Sequence, residues 1–303
     1  MLLTIREIIR ETASACSLVL APDFSYQPGQ YLTVQTPVGA RCYSLSSSPF
    51  SACSPKITIK RVQNGPVSNW IVDHVRAGDQ LECSGPFGSF TPSSLSDDLL
   101  LLAGGSGITP IMSIIKSSRG SSTLVYANRD ASSIIFKDEL EGLLPVTHWL
   151  DAVQGLPTAD GIAALLGAFR DREAFVCGPE PFVAVAEKAL ELAGVPASRI
   201  HIERFELEAV GDIDSAVSVS IDGRTHDLPW PAGKRLLDVM IDAGLNPPFS
   251  CRQGQCGACA VRMTSGSVDL LNNEILEDED FADGYILACQ AIPKTPSISI
   301  TYF

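Results

Sequence analysis

Ser250-Cys251-Arg252-Gln253-Gly254-Gln255-Cys256-Gly257-Ala258-Cys259 is the stretch of sequence that decides the fold of this chain. Its three cysteines follow the spacing C-x4-C-x2-C, and a fourth, Cys289, comes after 29 further residues. Glycine lets a backbone turn sharply and approach a buried group closely, and Gly254 and Gly257 stand where such a loop needs it. The pattern predicts one tight loop and one later segment that together supply four thiolates to a metal centre.

Two kinds of metal centre use four thiolates. The spacing here is typical of a [2Fe–2S] cluster, with Cys251, Cys256, Cys259 and Cys289 as its ligands. A zinc site is the alternative, but four-cysteine zinc sites usually carry two C-x2-C pairs, and this chain has one. We therefore predict a [2Fe–2S] cluster, which moves one electron at a time, and the rest of the chain should show where that electron comes from.

The size and composition indicate a globular protein of two or three domains, since 303 residues are 45% hydrophobic and 19% charged. A net charge of −13 argues against nucleic acid as a partner. The first residues, Met1–Glu7, lack the apolar core of a signal peptide, and no run approaches the roughly 18 apolar residues of a membrane helix. We expect a cytoplasmic monomer that binds neither membrane nor nucleic acid.

The cysteines outside the cluster motif do not predict a disulfide scaffold. Cys16, Cys42, Cys53, Cys83 and Cys177 are scattered through a long chain without a secretion signal. Most of them are expected to be small buried side chains in a reducing compartment, and Cys177 is the exception.

The first third of the chain predicts an antiparallel β-barrel, because short strands alternate at even spacing with turns such as Pro28-Gly29. Within it lies the run Arg41-Cys42-Tyr43-Ser44. Arginine clamps phosphate, an aromatic face suits a flat ring, and a hydroxyl both donates and accepts. Further on, Gly65 and Ser68 precede a predicted helix over 68–74. Ser68 or Asn69 is expected to cap that helix, and its N-terminus to attract an anion.

The middle third predicts a parallel sheet with helices on both faces. The apolar run Leu99–Ala103 is typical of a buried parallel strand. It leads into Gly104-Gly105-Ser106-Gly107-Ile108-Thr109-Pro110 and a helical segment, an order that binds phosphate on backbone N–H groups. Strands and helices then alternate up to Phe205, so ligands are expected at the carboxyl ends of the strands, where Cys177-Gly178-Pro179 lies.

The last third begins with an acidic linker and continues with a hairpin about Asp222-Gly223, an amphipathic helix over 236–243, the cysteine loop and a closing strand. An acidic run separates the third and fourth cysteines of the motif. It is either a solvated helix or a docking surface for an electron acceptor. Its members are Glu274, Glu277, Asp278, Glu279, Asp280 and Asp283.

Four motifs resemble those of the ferredoxin–NADP⁺ reductase superfamily: R-x-Y-S from Arg41, G-P-x-G-x-F from Gly85, G-x-G-I-T-P from Gly105 and C-G-P from Cys177. The resemblance covers the whole chain and implies a multidomain α/β and β protein. The expected parts are an antiparallel FAD-binding barrel (1–95), a parallel α/β NAD-binding lobe (96–206), a linker (207–215) and a plant-type ferredoxin domain of β-grasp fold (216–303).

The resemblance also implies roles for particular residues. Ser44, near flavin N5, and Cys177, beside the nicotinamide, are the expected catalytic residues. The expected FAD-binding residues are Arg41, Tyr43, Ser44, Lys60, Gly65, Val67, Ser68 and Phe205. The expected residues for the nicotinamide cofactor are Gly104, Gly105, Ser106, Gly107, Thr109, Pro110, Asp130, Cys177, Gly178 and Pro179. The segment from Gly65 to Ser68 favours FAD over FMN.

The choice between NADH and NADPH depends on Asn128-Arg129-Asp130, which follows the second predicted strand of the lobe. Asp130 can accept a hydrogen bond from a ribose 2′-hydroxyl, which favours NADH, whereas Arg129 can pair with a 2′-phosphate, which favours NADPH. The two indications conflict, and the resemblance decides for NADH.

Three stretches, beginning at Tyr126, Ile135 and His148, are similar to those of reductase components of 3-ketosteroid 9α-hydroxylases, and phenylacetyl-CoA epoxidase reductases share the domain order. This implies an NADH-dependent oxidoreductase that passes single electrons to a separate iron oxygenase in steroid degradation. Three alternatives stay open: the reductase of another aromatic-ring or phenylacetyl-CoA oxygenase, a non-catalytic redox sensor, and a zinc-stabilised adaptor.

Overall fold

The computed structural model describes residues 1–63, 65–166, 169–205, 213–249, 252 and 254–302. The chain divides into two compact units, Met1–Glu206 and Leu207–Phe303. The first unit contains an antiparallel barrel followed by an α/β lobe, and the second contains a mixed sheet packed on one helix. In the described residues, no helix combines the length and apolar character that crossing a membrane requires.

The barrel is a six-stranded antiparallel sheet in the order β4-β3-β6-β1-β2-β5. A bridge between Leu45 and Ile57 connects the two ends of this order, as a closed barrel requires. Alternate residues such as Leu18 and Leu20 are 0% exposed and fill its interior. The elements are β1 (Leu2–Thr12), β2 (Ala15–Ala21), β3 (Tyr31–Thr36), β4 (Gly39–Ser44), β5 (Lys56–Lys60), helix α1 (Pro66–His74) and β6 (Gln80–Phe87).

Helix α1 starts two residues earlier than the sequence predicted. Gly65 is its N-cap residue and Pro66 opens the first turn, where a fixed φ and a missing N–H carry no cost. Ser68 therefore lies inside the first turn, where its Oγ accepts from Val62 N at 3.2 Å and donates to Gly65 O at 3.3 Å. The prediction that Ser68 or Asn69 caps this helix was wrong, because Pro66 moves the start.

The lobe is a five-stranded parallel sheet in the order β11-β10-β7-β8-β9. All six residues of β7 are buried, because Leu99 and Leu101 face the core under α2 while Leu100 and Leu102 face the core under α5 and α6. This confirms a sheet covered on both faces. The elements are β7 (Leu99–Gly104), α2 (Ile108–Ser117), β8 (Thr123–Asn128), α3 (Lys137–Glu141), β9 (Val146–Leu150), α4 (Asp151–Gln154), α5 (Ala159–Leu166), β10 (Glu173–Gly178), α6 (Glu180–Leu192) and β11 (Ile200–Arg204).

The barrel and the lobe are joined by hydrogen bonds between α2 and the segment Ser46–Ser48, which follows the R-x-Y-S run. Ser113 Oγ donates to Ser47 O at 2.6 Å, and Lys116 Nζ donates to Ser46 O at 3.2 Å. Because the glycine-rich turn precedes α2, this one helix connects the turn to the strand that carries the R-x-Y-S run. The expected domain boundary, between residues 95 and 96, falls between β6 and β7 and stays a prediction.

The second unit has the β-grasp arrangement of a ferredoxin domain, with a mixed sheet in the order β13-β12-β18-β14-β16. Strands β12 and β18 are parallel, and Leu236, Leu237 and Met240 of α7 pack into the buried core of this unit. Asp222 and Gly223 have φ values of 51° and 70°, as a two-residue hairpin turn requires. The elements are β12 (Ser215–Ile221), β13 (Arg224–Trp230), α7 (Leu236–Asp242), β14 (Ala260–Ser265), β15 (Val268–Leu270), α8 (Asp278–Ala282), β16 (Tyr285–Leu287), β17 (Ala291–Pro293) and β18 (Ser297–Thr301).

The linker predicted over 207–215 falls mostly outside the described residues. Strand β12 already begins at Ser215, the last residue of that range.

Candidate functional site

Two consecutive residues at the end of β4, Tyr43 and Ser44, carry buried hydroxyl groups. Tyr43 Oη and Ser44 Oγ are shielded from solvent, and neither has a hydrogen-bond partner within the described part of the chain. Leaving a buried polar group unsatisfied costs about 1–3 kcal/mol. Burial also raises the pKa of Tyr43, so its phenol keeps its proton and remains able to donate. Two such residues in β4, the strand that also carries Arg41, fit a flat polar ligand such as a flavin.

The start of α1 lies beside the start of β4. A Cβ built on Gly39 would lie 3.6 Å from Val67 Cγ2, which places the first turn of α1 against that strand. A Cβ on Gly65 would lie 2.8 Å from Ser68 Oγ, so a larger residue would push the serine out of its bonds. The predicted flavin residues of β4 and of the α1 N-terminus are therefore neighbours.

The glycine-rich turn of the lobe is held against the end of β10. A Cβ on Gly107 would lie 2.1 Å from Cys177 O, and one on Gly104 would lie 2.7 Å from Phe182 Cδ1, so neither position tolerates a side chain. Thr109 Oγ1 donates to Ser106 O at 3.0 Å and closes the turn. The sequence-predicted turn and Cys177-Gly178 are thus in backbone contact.

The turn leads directly into a helix. Gly107 is the N-cap residue of α2, and Pro110 lies in the first helical turn. Unbonded N–H groups at such an N-terminus bind phosphate.

Cys177 is 0% exposed and lies in the core on the α2 face of the sheet. Burial, with a contribution from the charge of Glu203, raises the pKa of its thiol well above the ordinary range, so the group is a neutral thiol. Glu203 is opposite Cys177 in the register of β10 and β11. Sequence reasoning did not single out Glu203, although strand pairing could have located it. Phe205 follows β11 and packs against the same core.

A lysine from the barrel lies over the glycine-rich turn of the lobe. Lys60 Nζ is 3.2 Å from the position that a Cβ on Gly105 would take. Burial lowers the pKa of Lys60, and the positive charge of Arg129 lowers it further. A cationic side chain therefore lies at a turn whose N–H groups suit phosphate, with the charge of Arg129 near enough to act on it. The sequence placed Lys60 with the flavin residues, whereas the structure brings it to the turn.

Asp130 is fixed at the carboxyl end of β8. Its Oδ1 accepts from Ser132 N and Ser133 N, both at 3.0 Å, and the hydrogen bond from the Ser132 side chain lowers its pKa. Arg129 Nε lies 3.6 Å from the other carboxylate oxygen. The aspartate is thus an oriented, ionised acceptor next to a cation.

Two functional candidates in β8 were missed by sequence reasoning. Tyr126 is 0% exposed, and its Oη donates to Gly105 O at 2.9 Å. Asn128 is 4% exposed, and its Nδ2 has no partner among the residues that the structure describes. A tyrosine in a strand looks like core in the sequence, so only the three-dimensional contact reveals its position against the turn.

The cysteine motif is seen in three of its four positions, because Cys251 lies outside the described residues. Cys259 and Cys289 are each 2% exposed, and Cys289 N donates to Cys259 Sγ at 3.5 Å. The hydrogen bond with Cys289 raises the pKa of Cys259, and burial raises it further. Cys256 is half-buried. An all-sulfur donor set with two adjacent buried members fits an iron–sulfur cluster, whose positive charge holds the thiols as thiolates.

The loop around the motif uses left-handed backbone conformations. Arg252, Gly254 and Gly257 have φ values of 58°, 79° and 69°. A Cβ on Gly254 would lie 2.6 Å from Asn272 O, so glycine is required there. Arg252 forms an ion pair with Asp238 of α7, which anchors the loop to the helix.

The acidic run forms an exposed surface near this loop. Five of its residues are in or next to the short helix α8, and Ile275 and Phe281 expose 46% and 44% of their surface among them. Ile275 also lies over the loop, 3.6 Å from the position of a Cβ on Gly257. An exposed apolar side chain, Ile275, therefore lies next to the cysteine motif, within a segment rich in carboxylates.

Three family models match the chain in succession. They describe an oxidoreductase FAD-binding domain (residues 3–91), an oxidoreductase NAD-binding domain (101–188) and a 2Fe-2S iron-sulfur cluster binding domain (219–294).

Comparison with individual proteins gives matches along the full length. The chain is 43% identical to the ferredoxin reductase component of 3-ketosteroid-9-alpha-monooxygenase from Rhodococcus rhodochrous, with 99% of this chain and 96% of that protein covered. It is 29% identical to one subunit of 1,2-phenylacetyl-CoA epoxidase from Escherichia coli, with 99% and 97% covered. Among solved structures, phthalate dioxygenase reductase matches with a TM-score of 0.71 and 25% identity, covering 100% of this chain and 98% of that one.

Proposed function

Because this chain belongs to the family of the ferredoxin reductase components of 3-ketosteroid-9-alpha-monooxygenases, we propose that it oxidises NADH and delivers single electrons to a separate iron oxygenase that acts on 3-ketosteroids. The chain is an oxidoreductase with FAD-binding, NAD-binding and [2Fe–2S] domains. The observation that carries the proposal is the backbone contact between Gly107 and Cys177. Helix α2, which begins after Gly107, is hydrogen-bonded to Ser47, close to the R-x-Y-S strand. These contacts support the proposal because the glycine-rich turn and the R-x-Y-S strand lie in the same compact unit.

A bound flavin would accept the electron pair of one hydride and release it as single electrons, and a bound [2Fe–2S] cluster would carry these one at a time. In the barrel, Arg41 and the α1 N-terminus at Gly65, Val67 and Ser68 would hold the flavin phosphates. The unpartnered Tyr43 and Ser44 hydroxyls would donate to the flavin ring, Ser44 near N5, and Phe205 would cover the ring from the lobe.

The lobe would bind NADH through its turn. The N–H groups from Gly104 to Gly107 and the start of α2 at Thr109 and Pro110 would receive the pyrophosphate, with Lys60 adding a positive charge. Asp130 would accept from the ribose 2′-hydroxyl, which favours NADH.

The nicotinamide would lie at the end of β10. Cys177, with Gly178 and Pro179, would position it there, since a neutral buried thiol packs against the ring without adding charge. A ring held at this position would favour hydride transfer from NADH over nucleotide binding alone.

The electron would leave from the second unit, where Cys251, Cys256, Cys259 and Cys289 would hold the cluster. The exposed Ile275 and Phe281 among carboxylates fit a partner surface that is apolar with a basic rim. One NADH gives two electrons, so each hydride transfer is followed by two single deliveries to the oxygenase. The exposed thiol of Cys53 suits a cytoplasmic, reducing environment, and we expect a monomer.

The experiment is reconstitution of the full-length holoprotein with a 3-ketosteroid 9α-oxygenase, NADH and a 3-ketosteroid substrate. The proposal predicts hydroxylated steroid that depends on both proteins. Cys289→Ser should abolish hydroxylation but leave most NADH-dependent reduction of the flavin, whereas Cys53→Ser, at an exposed thiol, should change neither. Equal loss of both activities in Cys289→Ser would contradict the assigned division of labour.

The same assay distinguishes the proposed electron acceptor from the alternative one. Because the phenylacetyl-CoA epoxidase component matches over the same length at lower identity, its oxygenase partner is the appropriate competitor. Faster electron delivery to that partner than to the steroid oxygenase would replace the proposed acceptor.

A further inference from the structure

Gln290, which directly follows Cys289, is a fully buried polar side chain with no role assigned so far. It is 0% exposed and precedes β17. Burying a primary amide is unfavourable unless its groups are hydrogen-bonded, so its contacts indicate what it does.

The side chain connects the two segments that carry the cysteines. Gln290 Nε2 donates to Arg252 O at 2.8 Å, and the same nitrogen lies 3.5 Å from Cys289 Sγ, within donor distance of a sulfur. Because a carbonyl oxygen only accepts, the bond to Arg252 determines that the NH₂ end of the amide faces the loop and the sulfur.

The surroundings hold this amide in place. Its backbone N donates to Leu287 O at 2.9 Å, and its backbone O accepts from Leu271 N at 3.0 Å. Its Cγ lies 3.1 Å from the position of a Cβ on Gly254, so the loop closes over the side chain. The backbone on both sides and the loop over Cγ restrict where the side chain can go, and the bond to Arg252 O orients its Nε2, while Oε1 is buried without a hydrogen-bond partner among the described residues.

A donor beside a ligand sulfur affects the electron affinity of the centre. Reduction adds negative charge that spreads onto the ligand sulfurs, and hydrogen bonds to those sulfurs stabilise it, so they raise the reduction potential. The guanidinium of Arg252 is paired with Asp238, and the neutral amide of Gln290 lies within donor distance of Cys289 Sγ.

We propose that Gln290 is a positioning residue that raises the reduction potential of the [2Fe–2S] cluster by donating to Cys289 Sγ while anchored on Arg252 O. The inference rests on the proposed ligation of the cluster by Cys289. It makes the residue after the last cysteine responsible for how readily electrons enter the cluster.

The test is a potentiometric titration of the full-length holoprotein, followed by the electron paramagnetic resonance signal of the reduced cluster. Gln290→Leu removes the donor at similar volume, and Gln290→Glu keeps the shape but puts an acceptor there. Both variants should shift the midpoint potential to more negative values. At a fixed potential we expect the ratio of reduced to oxidised cluster to fall about tenfold, which corresponds to a midpoint shift of about 59 mV for a one-electron couple. The matched control is Gln255→Leu, because that amide of the same loop donates to Glu274 Oε1 at 3.0 Å, and its midpoint should not move.

The outcomes separate this inference from the function on which it rests. An unchanged midpoint in either Gln290 variant with full cluster content would overturn the inference, and so would loss of the cluster from both variants, which would make the residue purely structural. An unaltered cluster spectrum in Cys289→Ser would instead overturn the ligation by that cysteine. Both readouts, the midpoint potential and the cluster spectrum, are independent of steroid hydroxylation activity.

Discussion

Tyr126 Oη donates a hydrogen bond of 2.9 Å to Gly105 O, from the strand β8 to the turn that follows its neighbour β7. Gly105 has a φ of 52°, and the phenol oxygen also accepts from Ile135 N at 3.3 Å. The phenol is thus a brace between the sheet and the backbone that faces the proposed phosphate site. Its removal loosens the turn without touching the ligand.

Tyr126→Phe is therefore expected to weaken NADH binding. Loss of one such hydrogen bond costs about 1 kcal/mol, so KM for NADH should rise about fivefold while kcat changes little. Steady-state NADH oxidation with an artificial acceptor measures both constants. Tyr26→Phe is the control, since that buried phenol hydrogen-bonds Ser47 Oγ at 2.7 Å in the barrel. A KM increase of equal size in both variants would speak against a specific brace.

Gly107→Ala should separate the nucleotide turn from the flavin site. The added Cβ would overlap Cys177 O, so the turn must move away from the end of β10, at a cost of about 1–3 kcal/mol. We expect retained flavin absorbance, a lower melting temperature and NADH oxidation reduced by at least an order of magnitude. Gly142→Ala is the matched control, because a Cβ at that position would lie at an ordinary contact distance of 3.7 Å from Glu139 O. Normal turnover in Gly107→Ala would contradict the contact.

Asp130→Asn should shift the preference between NADH and NADPH. Asparagine keeps the Oδ1 acceptor for Ser132 N and Ser133 N but removes the negative charge. That charge disfavours a 2′-phosphate and strengthens the hydrogen bond from a 2′-hydroxyl. Since a hydrogen bond to a charged group contributes about 1.5–3 kcal/mol, the NADH to NADPH ratio of kcat/KM should fall about tenfold or more. The exposed Asp138→Asn should leave the ratio unchanged, and a constant ratio in both variants would remove Asp130 from nucleotide selection.

Alkaline pH should destabilise the first unit through Cys83. Burial raises the pKa of its thiol to about 12 from 9.0 in the unfolded chain. Above pH 9.0 the unfolded chain loses a proton that the native thiol keeps, so stability is unaffected below pH 9.0 and declines as the pH rises toward about 12. At roughly pH 10.5 the loss is about 2 kcal/mol.

Urea unfolding of the wild type and of Cys83→Ala, compared between pH 8 and roughly pH 10.5, measures this decline. The variant starts less stable because of the cavity it creates, but its stability should fall less steeply with pH. Parallel slopes in the two proteins would show that the thiol retains an ordinary pKa in the fold.

The sequence predicts those features that are encoded locally. The uninterrupted apolar residues Leu99–Ala103 predicted a doubly covered strand, and Asp222-Gly223 predicted the hairpin, because each depends on its own residues. The prediction of where α1 begins was wrong, although Pro66 is a residue typical of a first helical turn. Ser68 and Asn69 are also typical N-cap residues, and they favoured a later start.

The contacts of Lys60, Tyr126 and Gln290 could not be predicted, because each depends on where a distant segment lies. Lys60 reaches the turn at Gly105, 45 residues further along the chain, and Gln290 reaches the carbonyl of Arg252 across the cysteine motif. Neither contact has a signature in the spacing of residue types. The motifs therefore located the site, while the groups that brace and tune it required the fold.

Helix α2 has a consequence for exchanging parts between relatives. Its N-terminus continues from the nucleotide turn, and Ser113 and Lys116 in its second half are bonded to the barrel backbone at Ser47 and Ser46. A chimera that joins the barrel of one protein to the lobe of another at residues 95 and 96 would cut through this joint. Because the acceptors at residues 46 and 47 are backbone carbonyls, a graft preserves these two bonds only if its helix α2 keeps a donor at positions 113 and 116.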